Sequence, residues 1–83
     1  MLNEELQASQ EKWNLCFGRF IREGRKEKGI TQVMLCRNIG IAQSYYSSIE
    51  NGKANVDLGL AMSICGYLDL NMNDLVRKYK KET

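Results

Sequence analysis

The sequence contains no histidine, and this absence excludes several kinds of chemistry. Histidine is the usual general base near neutral pH, so nucleophilic catalysis by a Ser-His or Cys-His pair is excluded. The three cysteines, Cys16, Cys36 and Cys65, are odd in number and widely spaced, unlike a disulfide framework. Without histidine they also make no zinc site. We therefore predict buried thiols, no metal, no cofactor and no enzymatic activity.

Long apolar runs are missing as well. A membrane-spanning helix needs about 18 or more consecutive apolar residues, and the first ten residues are acidic and polar, unlike a signal peptide. At 83 residues the chain has room for one domain with one small core. We expect a cytoplasmic protein without membrane contact, and no pattern indicates a small-molecule ligand.

The net charge of +2 is small, but the charges are unevenly placed along the chain. Residues 1–13 are net acidic, whereas residues 19–28 and 77–81 are net basic. Local basic patches matter more to a polyanionic partner than the total charge does. The two basic segments therefore say more about a possible polyanionic partner than the net charge does.

Residues 31–52 have the pattern of two short helices joined by a tight turn. Apolar residues recur on one side of each helix, namely Leu35, Cys36 and Ile39 in the first and Ala42, Tyr45, Tyr46 and Ile49 in the second. Thr31 can N-cap the first helix, and Gly40 can take the left-handed conformation that ends it. This pattern predicts a helix-turn-helix.

The other side of the second helix carries hydrogen-bonding side chains without charge. These residues are Gln43, Ser44, Ser47, Ser48 and Asn51. Side chains of this kind can donate to and accept from the edges of bases, so this face suits reading a DNA groove.

The rest of the chain predicts three supporting helices. The first runs over about 14–28, with an apolar stripe of Phe17, Phe20, Ile21 and Gly24. Arg25 borders this stripe, where a lone charge is costly, and Glu50 is its expected partner. Asp57 can N-cap a fourth helix that ends near Asp69, and Asn71 can cap a short last helix.

Residues 1–13 allow two interpretations, because Leu2, Leu6 and Trp13 have only a loosely helical spacing. They form either a frayed or partly docked arm, or an extra amphipathic helix whose Trp13 anchors a partner or a second subunit. We therefore divide the chain into residues 1–13, a helix-turn-helix domain at 14–79 and a basic tail at 80–83.

From Phe17 to about Val76 the chain resembles the lambda-repressor-like (Cro/XRE) helix-turn-helix family. The resemblance is carried, as a set, by FGRFIREGRKEKG, by the spacing of Gln32, Leu35 and Gly40, and by QSYYSSIENGKANV. These segments also resemble the small controller proteins of restriction–modification systems. The resemblance implies an all-α, five-helix lambda-repressor-like DNA-binding domain with its helix-turn-helix at about 31–52.

The resemblance also implies which residues touch double-stranded DNA, with the helix at about 43–51 in the major groove. It places base contacts at Gln43, Ser44 and Ser48, and we expect Ser47 on the same face to join them. It places phosphate or supporting contacts at Gln32 and Asn51, and we expect further ones from Arg37, Tyr45 and Lys53. A glutamine can pair bidentately with adenine, so Gln43 is expected to favour an A·T pair by about 1–3 kcal/mol. Arg25 and Glu50 match a structural pair of the family that bridges the first and third helices.

Three departures from the family pattern give further expectations. Gly24 stands where leucine is usual and Tyr46 where isoleucine or valine is usual, so we expect the Tyr46 ring to fill the volume left by Gly24. Val33 and Met34 replace the usual polar or acidic residues, which leaves Met34 either exposed or covered by the N-terminal arm. Controller proteins often carry arginine in place of Gln43, so the expected base changes from G to A.

A domain of this size is expected to act as a homodimer on two half-sites about 34 Å apart. The predicted dimer face consists of Leu70, Met72, Leu75 and Tyr79, whose alternative role is to complete the core of the monomer.

The sequence thus predicts a sequence-specific DNA-binding transcriptional regulator. One alternative is a protein-interaction adapter or antitoxin-like module, which would work through Trp13, Met34 and the N-terminal arm. Another is a thiol redox switch, for which Cys16 near Arg19 is the only weak choice.

Overall fold

The computed structural model describes residues 4–81 of the chain, and most of this part is helical. The helices in chain order are α1 (Glu4–Glu27), α2 (Gln32–Ile39), α3 (Gln43–Glu50), α4 (Leu58–Leu68) and α5 (Met72–Lys81). Residues 4–81 contain no strand. The predicted all-α class and five helices are confirmed. None of the five combines the length and the apolarity needed to cross a bilayer.

Capping side chains begin α2 and α4, and left-handed residues end them, at the positions that the sequence predicts. Thr31 N-caps α2, since its hydroxyl accepts a hydrogen bond from the backbone N–H of Met34 at 3.1 Å. Gly40 ends the same helix with φ of 85°. Asp57 N-caps α4 through its carboxylate, and Asp69 ends it in the left-handed conformation with φ of 54°. The caps fix the bounds of α2 and α4.

Helix α1 runs without a break from Glu4 to Glu27. Residues 4–13, for which the sequence left an arm or a separate helix open, therefore continue the first core helix. The division between residues 13 and 14 lies inside α1, and Lys80 and Lys81 of the predicted tail belong to α5. Leu2 and residues 82–83 of that tail lie outside the described residues.

Trp13 connects this N-terminal part of α1 to α5. Its ring stacks near Phe17 with centroids 6.3 Å apart, and meets the Tyr79 ring edge-on at 5.5 Å. The ammonium of Lys12 lies 4.4 Å from the centre of the Tyr79 ring, in cation–π geometry. Trp13 therefore packs within the domain instead of projecting as a free anchor for a partner.

All five helices contribute to one hydrophobic core. Its buried members are Cys16, Phe17, Phe20, Ile21, Leu35, Cys36, Tyr46, Ile49, Ala61, Ile64, Cys65, Leu68 and Leu75. The three cysteines are buried free thiols, as predicted. Burial raises the pKa of Cys36 and of Cys65, which disfavours the reactive thiolate. Cys16 is only 3% exposed, which argues against an accessible redox switch.

Gly18 allows α3 to lie directly on α1. A Cβ atom placed on Gly18 would come within 2.6 Å of the backbone oxygen of Glu50, and closer still to that of Ile49. Only a residue without a side chain fits this approach. The C-terminal end of α3 is therefore seated on the backbone of α1.

The expected pairing of Tyr46 with Gly24 is wrong. A Cβ atom on Gly24 would lie 2.6 Å from Cδ1 of Leu70, so Leu70 occupies the space above this glycine. Leu70 comes from the connection between α4 and α5, which crosses the C-terminal part of α1. Tyr46 is fully buried in the core.

The structure also corrects the expectation for Leu75 and decides between the two alternatives for Met34. Leu75, predicted for the dimer face, is fully buried in the monomer, so it takes the alternative role of completing the core. Met34 is 46% exposed, so it is not covered by the N-terminal part of α1.

Candidate nucleic-acid interface

The turn between α2 and α3 is short and bonded back to α2. The backbone N–H groups of Gly40 and Ile41 both donate to the carbonyl oxygen of Cys36, at 2.8 and 3.2 Å. Helix α3 packs against both α1 and α2. Its inward residues Tyr46 and Ile49 are fully buried, so α3 is fixed to the core along one side.

The outward side of α3 begins with exposed residues. Ala42, at the N-cap of α3, offers no side-chain hydrogen bond to the first backbone N–H groups. Gln43 and Ser44 follow it and are exposed, as is Tyr45. Ala42 and Tyr45 were predicted to face inward, and their exposure corrects that expectation. The open N–H groups and the positive end of the helix dipole lie on this exposed side.

Ser47 and Ser48 lie deeper than Gln43 and Ser44. Both are half-buried, and the hydroxyl of Ser48 donates to the carbonyl oxygen of Ser44 at 3.1 Å. A serine that donates to its own helix has no hydrogen left to donate, so it can only accept from an outside donor. The most accessible hydrogen-bonding groups on α3 are therefore in its first turn.

A buried ion pair joins α1 to α3. Arg25 donates from Nε to Oε2 of Glu50 at 2.7 Å, and from Nη2 to Oε1 at 3.1 Å. The third guanidinium nitrogen donates to the carbonyl oxygen of Ile30 at 2.8 Å. Burial alone would raise the pKa of Glu50, but hydrogen bonding from Arg25, with smaller contributions from the nearby Tyr46 hydroxyl and from Gln32, outweighs it and holds that pKa below its ordinary value. The pair is charged at neutral pH.

Gln32 extends this network towards the exposed face. Its amino group donates to Oε1 of Glu50 at 3.0 Å. Its carbonyl oxygen lies 3.5 Å from the amino group of Gln43, a long hydrogen bond. Gln32 is half-buried between these partners, so it supports Gln43 and is less free to reach a phosphate.

The Tyr46 hydroxyl lies beside the same ion pair. It is buried and has no hydrogen-bond partner of normal geometry within residues 4–81. Burial is the main cause that raises the pKa of Tyr46 far above its ordinary value, so the phenol stays neutral.

The remaining predicted contact residues lie in α2 or beyond the end of α3. Arg37, near the end of α2, is exposed, as are Asn51 and Lys53 beyond the end of α3. The backbone N–H of Lys53 donates to the carbonyl oxygen of Ser48 at 2.9 Å, which folds this segment against α3. Both cationic side chains are thus close in sequence to the two helices of the motif.

Two asparagines near α3 were not singled out from the sequence. Asn14 of α1 donates from Nδ2 to Oδ1 of Asn55 at 2.7 Å, and the backbone oxygen of Asn55 accepts from the Tyr45 hydroxyl at 3.1 Å. Asn14 is buried three residues before Phe17, in line with the apolar stripe of α1. A polar residue on an apolar stripe was the signal that could have identified it.

The described part of the chain contains no group of histidine, cysteine, aspartate or glutamate side chains that could hold a metal ion. The groove between α1 and α5 has a volume of about 360 Å³ and is lined mainly by charged residues, including Glu23, Glu27 and Arg77. It is distant in sequence from α3.

Comparison with known proteins agrees with this geometry. The helix-turn-helix family pattern matches residues 21–75. Control protein C.MunI of a Mycoplasma species is 37% identical over 67 residues, covering 80% of this chain and 90% of C.MunI. The HTH-type transcriptional regulator SinR of Bacillus licheniformis is 36% identical over 67 residues, covering 80% of this chain and 60% of SinR.

A solved structure has the same arrangement of helices. The clp gene regulator ClgR from Corynebacterium glutamicum superposes with a TM-score of 0.77 at 24% identity, over 84% of this chain and 74% of ClgR. At this identity the likeness shows the fold. The family match, which spans more than half of the residues, and the 37% identity to C.MunI show that the chain belongs to the Cro/XRE-type helix-turn-helix family of DNA-binding transcription regulators.

Proposed function

We propose that the protein binds operator DNA as a homodimer in the cytoplasm and regulates transcription there, with α3 in the major groove of each half-site. The observation that carries this proposal is the pair of exposed, uncharged side chains, Gln43 and Ser44, in the first turn of a helix whose other side is buried. The major groove presents a distinct pattern of donors and acceptors for each base pair. Gln43 would favour adenine by about 1–3 kcal/mol.

The contact between Gln32 and Gln43 strengthens the proposal. The Gln32 amino group donates to Glu50, which leaves the Gln32 carbonyl oxygen to face the Gln43 amino group. Glu50 is in turn fixed by Arg25. A side chain oriented before binding loses less freedom on binding, so the network favours readout by Gln43.

Affinity would come from the backbone of the DNA. Base-reading residues on α3 carry no positive charge, and phosphate contacts supply much of the affinity of DNA-binding proteins. The predicted phosphate contacts Arg37, Tyr45, Asn51 and Lys53 are all exposed around α3. Ser47 and Ser48 would add base contacts from the second turn of α3.

The homodimer would use apolar surface of α4 and α5. The predicted face retains Leu70, Met72 and Tyr79, which are half-buried. Helix α4 has no charged residue, yet Leu58 and Met62, one turn apart, are 68% and 56% exposed. A helix that is apolar all round favours burial on every side, so we add this outer side of α4 to the proposed face. Sedimentation that finds only monomer at high concentration would refute the homodimer.

A controller of a restriction–modification system is the finer form of the proposal. The support is the sequence of this chain, which resembles such controllers, and its 37% identity to a relative named as a control protein. Gln43 stands where controllers often have arginine, so we expect the half-site to present adenine where theirs present guanine.

The test is a binding titration against the DNA upstream of the protein's own gene, with random DNA alongside and at two salt concentrations. We expect specific binding that Gln43→Ala abolishes and that weakens steeply as salt rises. Gln7→Ala is the matched control, because Gln7 is also an exposed glutamine but lies on α1, and this variant should bind like wild type. Equal affinity for random DNA, or no binding, would instead favour the adapter.

A further inference from the structure

A line of side-chain amides runs from α1 to the segment that follows α3. The Gln10 amino group donates to the Asn14 carbonyl oxygen at 2.9 Å. The Asn14 amino group donates to the Asn55 carbonyl oxygen, Oδ1, at 2.7 Å. Asn55 is also tied to α3, because its backbone oxygen accepts from the Tyr45 hydroxyl at 3.1 Å. Asn55 is therefore held from both α1 and the exposed side of α3.

Asn14 is an unusual residue for its position. It is 8% exposed and follows the apolar stripe of α1, where an apolar side chain could pack without any hydrogen bond. A buried amide is costly unless both of its ends are paired, and here both ends are. Unlike an apolar residue, the paired amide can fix the orientation of the Asn55 side-chain amide.

The direction follows from the two unlike ends of an amide. Asn14 donates, so it occupies the carbonyl oxygen of Asn55 and leaves the Asn55 amino group as the end available to the outside. Asn55 is exposed and lies two residues after the exposed cation Lys53. The available group is thus a donor, on the segment beside α3, next to a cation.

We propose that Asn14, oriented by Gln10, is a positioning residue that turns the amino group of Asn55 outward to donate to a phosphate oxygen of the DNA backbone. The inference rests on the proposed DNA binding by α3 and deepens it. A phosphate oxygen fits because it is an acceptor present at every nucleotide along the groove that α3 enters. The contact strengthens binding to all sequences alike and selects none.

Asn14→Asp tests the direction of the amide with almost no change of shape. An aspartate cannot donate to Asn55, so Asn55 turns its amino group inward and presents its carbonyl oxygen to the phosphate. Loss of one hydrogen bond to a charged acceptor lowers affinity about tenfold or more per half-site. We expect this loss for operator and random DNA alike, with the preference for operator unchanged.

Gln7→Glu is the matched control for the added negative charge. Gln7 lines the same polar groove as Gln10, Asn14 and Asn55 but makes no hydrogen bond in the amide line. A loss caused by charge alone would appear equally in Gln7→Glu and would shrink at higher salt. A loss caused by the turned amide should be absent from Gln7→Glu.

A double-mutant cycle separates positioning from a structural role. Asn55→Ala removes the proposed contact and should itself weaken binding about tenfold. It also leaves the Asn14 amino group without its partner, so retained folding is checked by circular dichroism. In that background Asn14→Asp should have little further effect, because there is no amide left to turn. If Asn14→Asp does not fold, Asn55→Asp replaces it, since its outward oxygen would repel the phosphate.

The outcomes are distinguishable. Wild-type affinity in Asn55→Ala, or an Asn14→Asp loss that is unchanged in the Asn55→Ala background, overturns the inference while Gln43→Ala still tests the proposed function. Wild-type protein that binds no DNA overturns both.

Discussion

Removal of the Glu50 carboxylate tests the ion pair that joins α1 to α3. Arg25 donates two hydrogen bonds to Glu50, and the two side chains are only 10% and 3% exposed. Glu50→Ala leaves a buried guanidinium without its counter-charge, a change that costs about 3–5 kcal/mol. Arg25 keeps its hydrogen bond to the carbonyl oxygen of Ile30, so we expect the lower end of that range.

A loss of about 3 kcal/mol is large for a domain of this size. At about 0.05–0.15 kcal/mol per residue, the free energy of unfolding of the whole chain is roughly 4–12 kcal/mol. Urea unfolding followed by circular dichroism should therefore show a strongly lowered midpoint with an unchanged slope. A free energy of unfolding for Glu50→Ala within about 0.5 kcal/mol of wild type would refute the reasoning.

Two comparisons make the measurement specific to the buried pair. Asp74→Ala breaks the pair with Arg77, whose side chains are 50% and 66% exposed, and should cost less than about 1 kcal/mol. The double change Arg25→Met with Glu50→Leu removes both charges and should recover much of the loss, since apolar replacement of a whole buried pair is often neutral.

Two further predictions concern the same cluster. The folded-state pKa of Glu50 lies below its unfolded value, so its contribution to stability is present above the unfolded pKa and is lost as pH falls through the folded pKa. Urea unfolding between pH 7 and pH 3 should show this loss in wild type and a smaller one in Glu50→Gln, and equal pH dependence would contradict it. Tyr46→Phe removes a buried hydroxyl that has no normal hydrogen bond within residues 4–81, so the free energy of unfolding should stay within about 1 kcal/mol of wild type or rise. A clear fall in that free energy would show that the hydroxyl is paired.

Local signals in the sequence predict the bounds of α2 and α4 well. Thr31, Gly40, Asp57 and Asp69 act within one turn of their own helices, so their roles depend on neighbours in the chain. The packing of Trp13 in α1 involves instead Tyr79 of α5, which meets the Trp13 ring from a distant part of the chain. The spacing of apolar residues within residues 1–13 cannot reveal a contact with a residue so distant in the sequence.

The same distinction separates what could and could not be predicted at the site. Helical spacing alone places Gln43 and Ser44 on the outward side of α3, and both are exposed. Spacing does not reveal which element covers a given position, and so Leu70 instead of Tyr46 fills the space above Gly24. Hydrogen bonds such as those from Gln32 to Glu50 and from Asn14 to Asn55 require helices to be placed in three dimensions.

The seat of α3 on Gly18 has a mechanical consequence. The contact is backbone against backbone, so no side chain there can change rotamer and let α3 tilt. A helix that cannot tilt presents its first turn at a constant angle. In the proposed homodimer on half-sites about 34 Å apart, small angular errors at each subunit would add across that span, and this rigid contact would keep both copies of α3 in phase with the DNA.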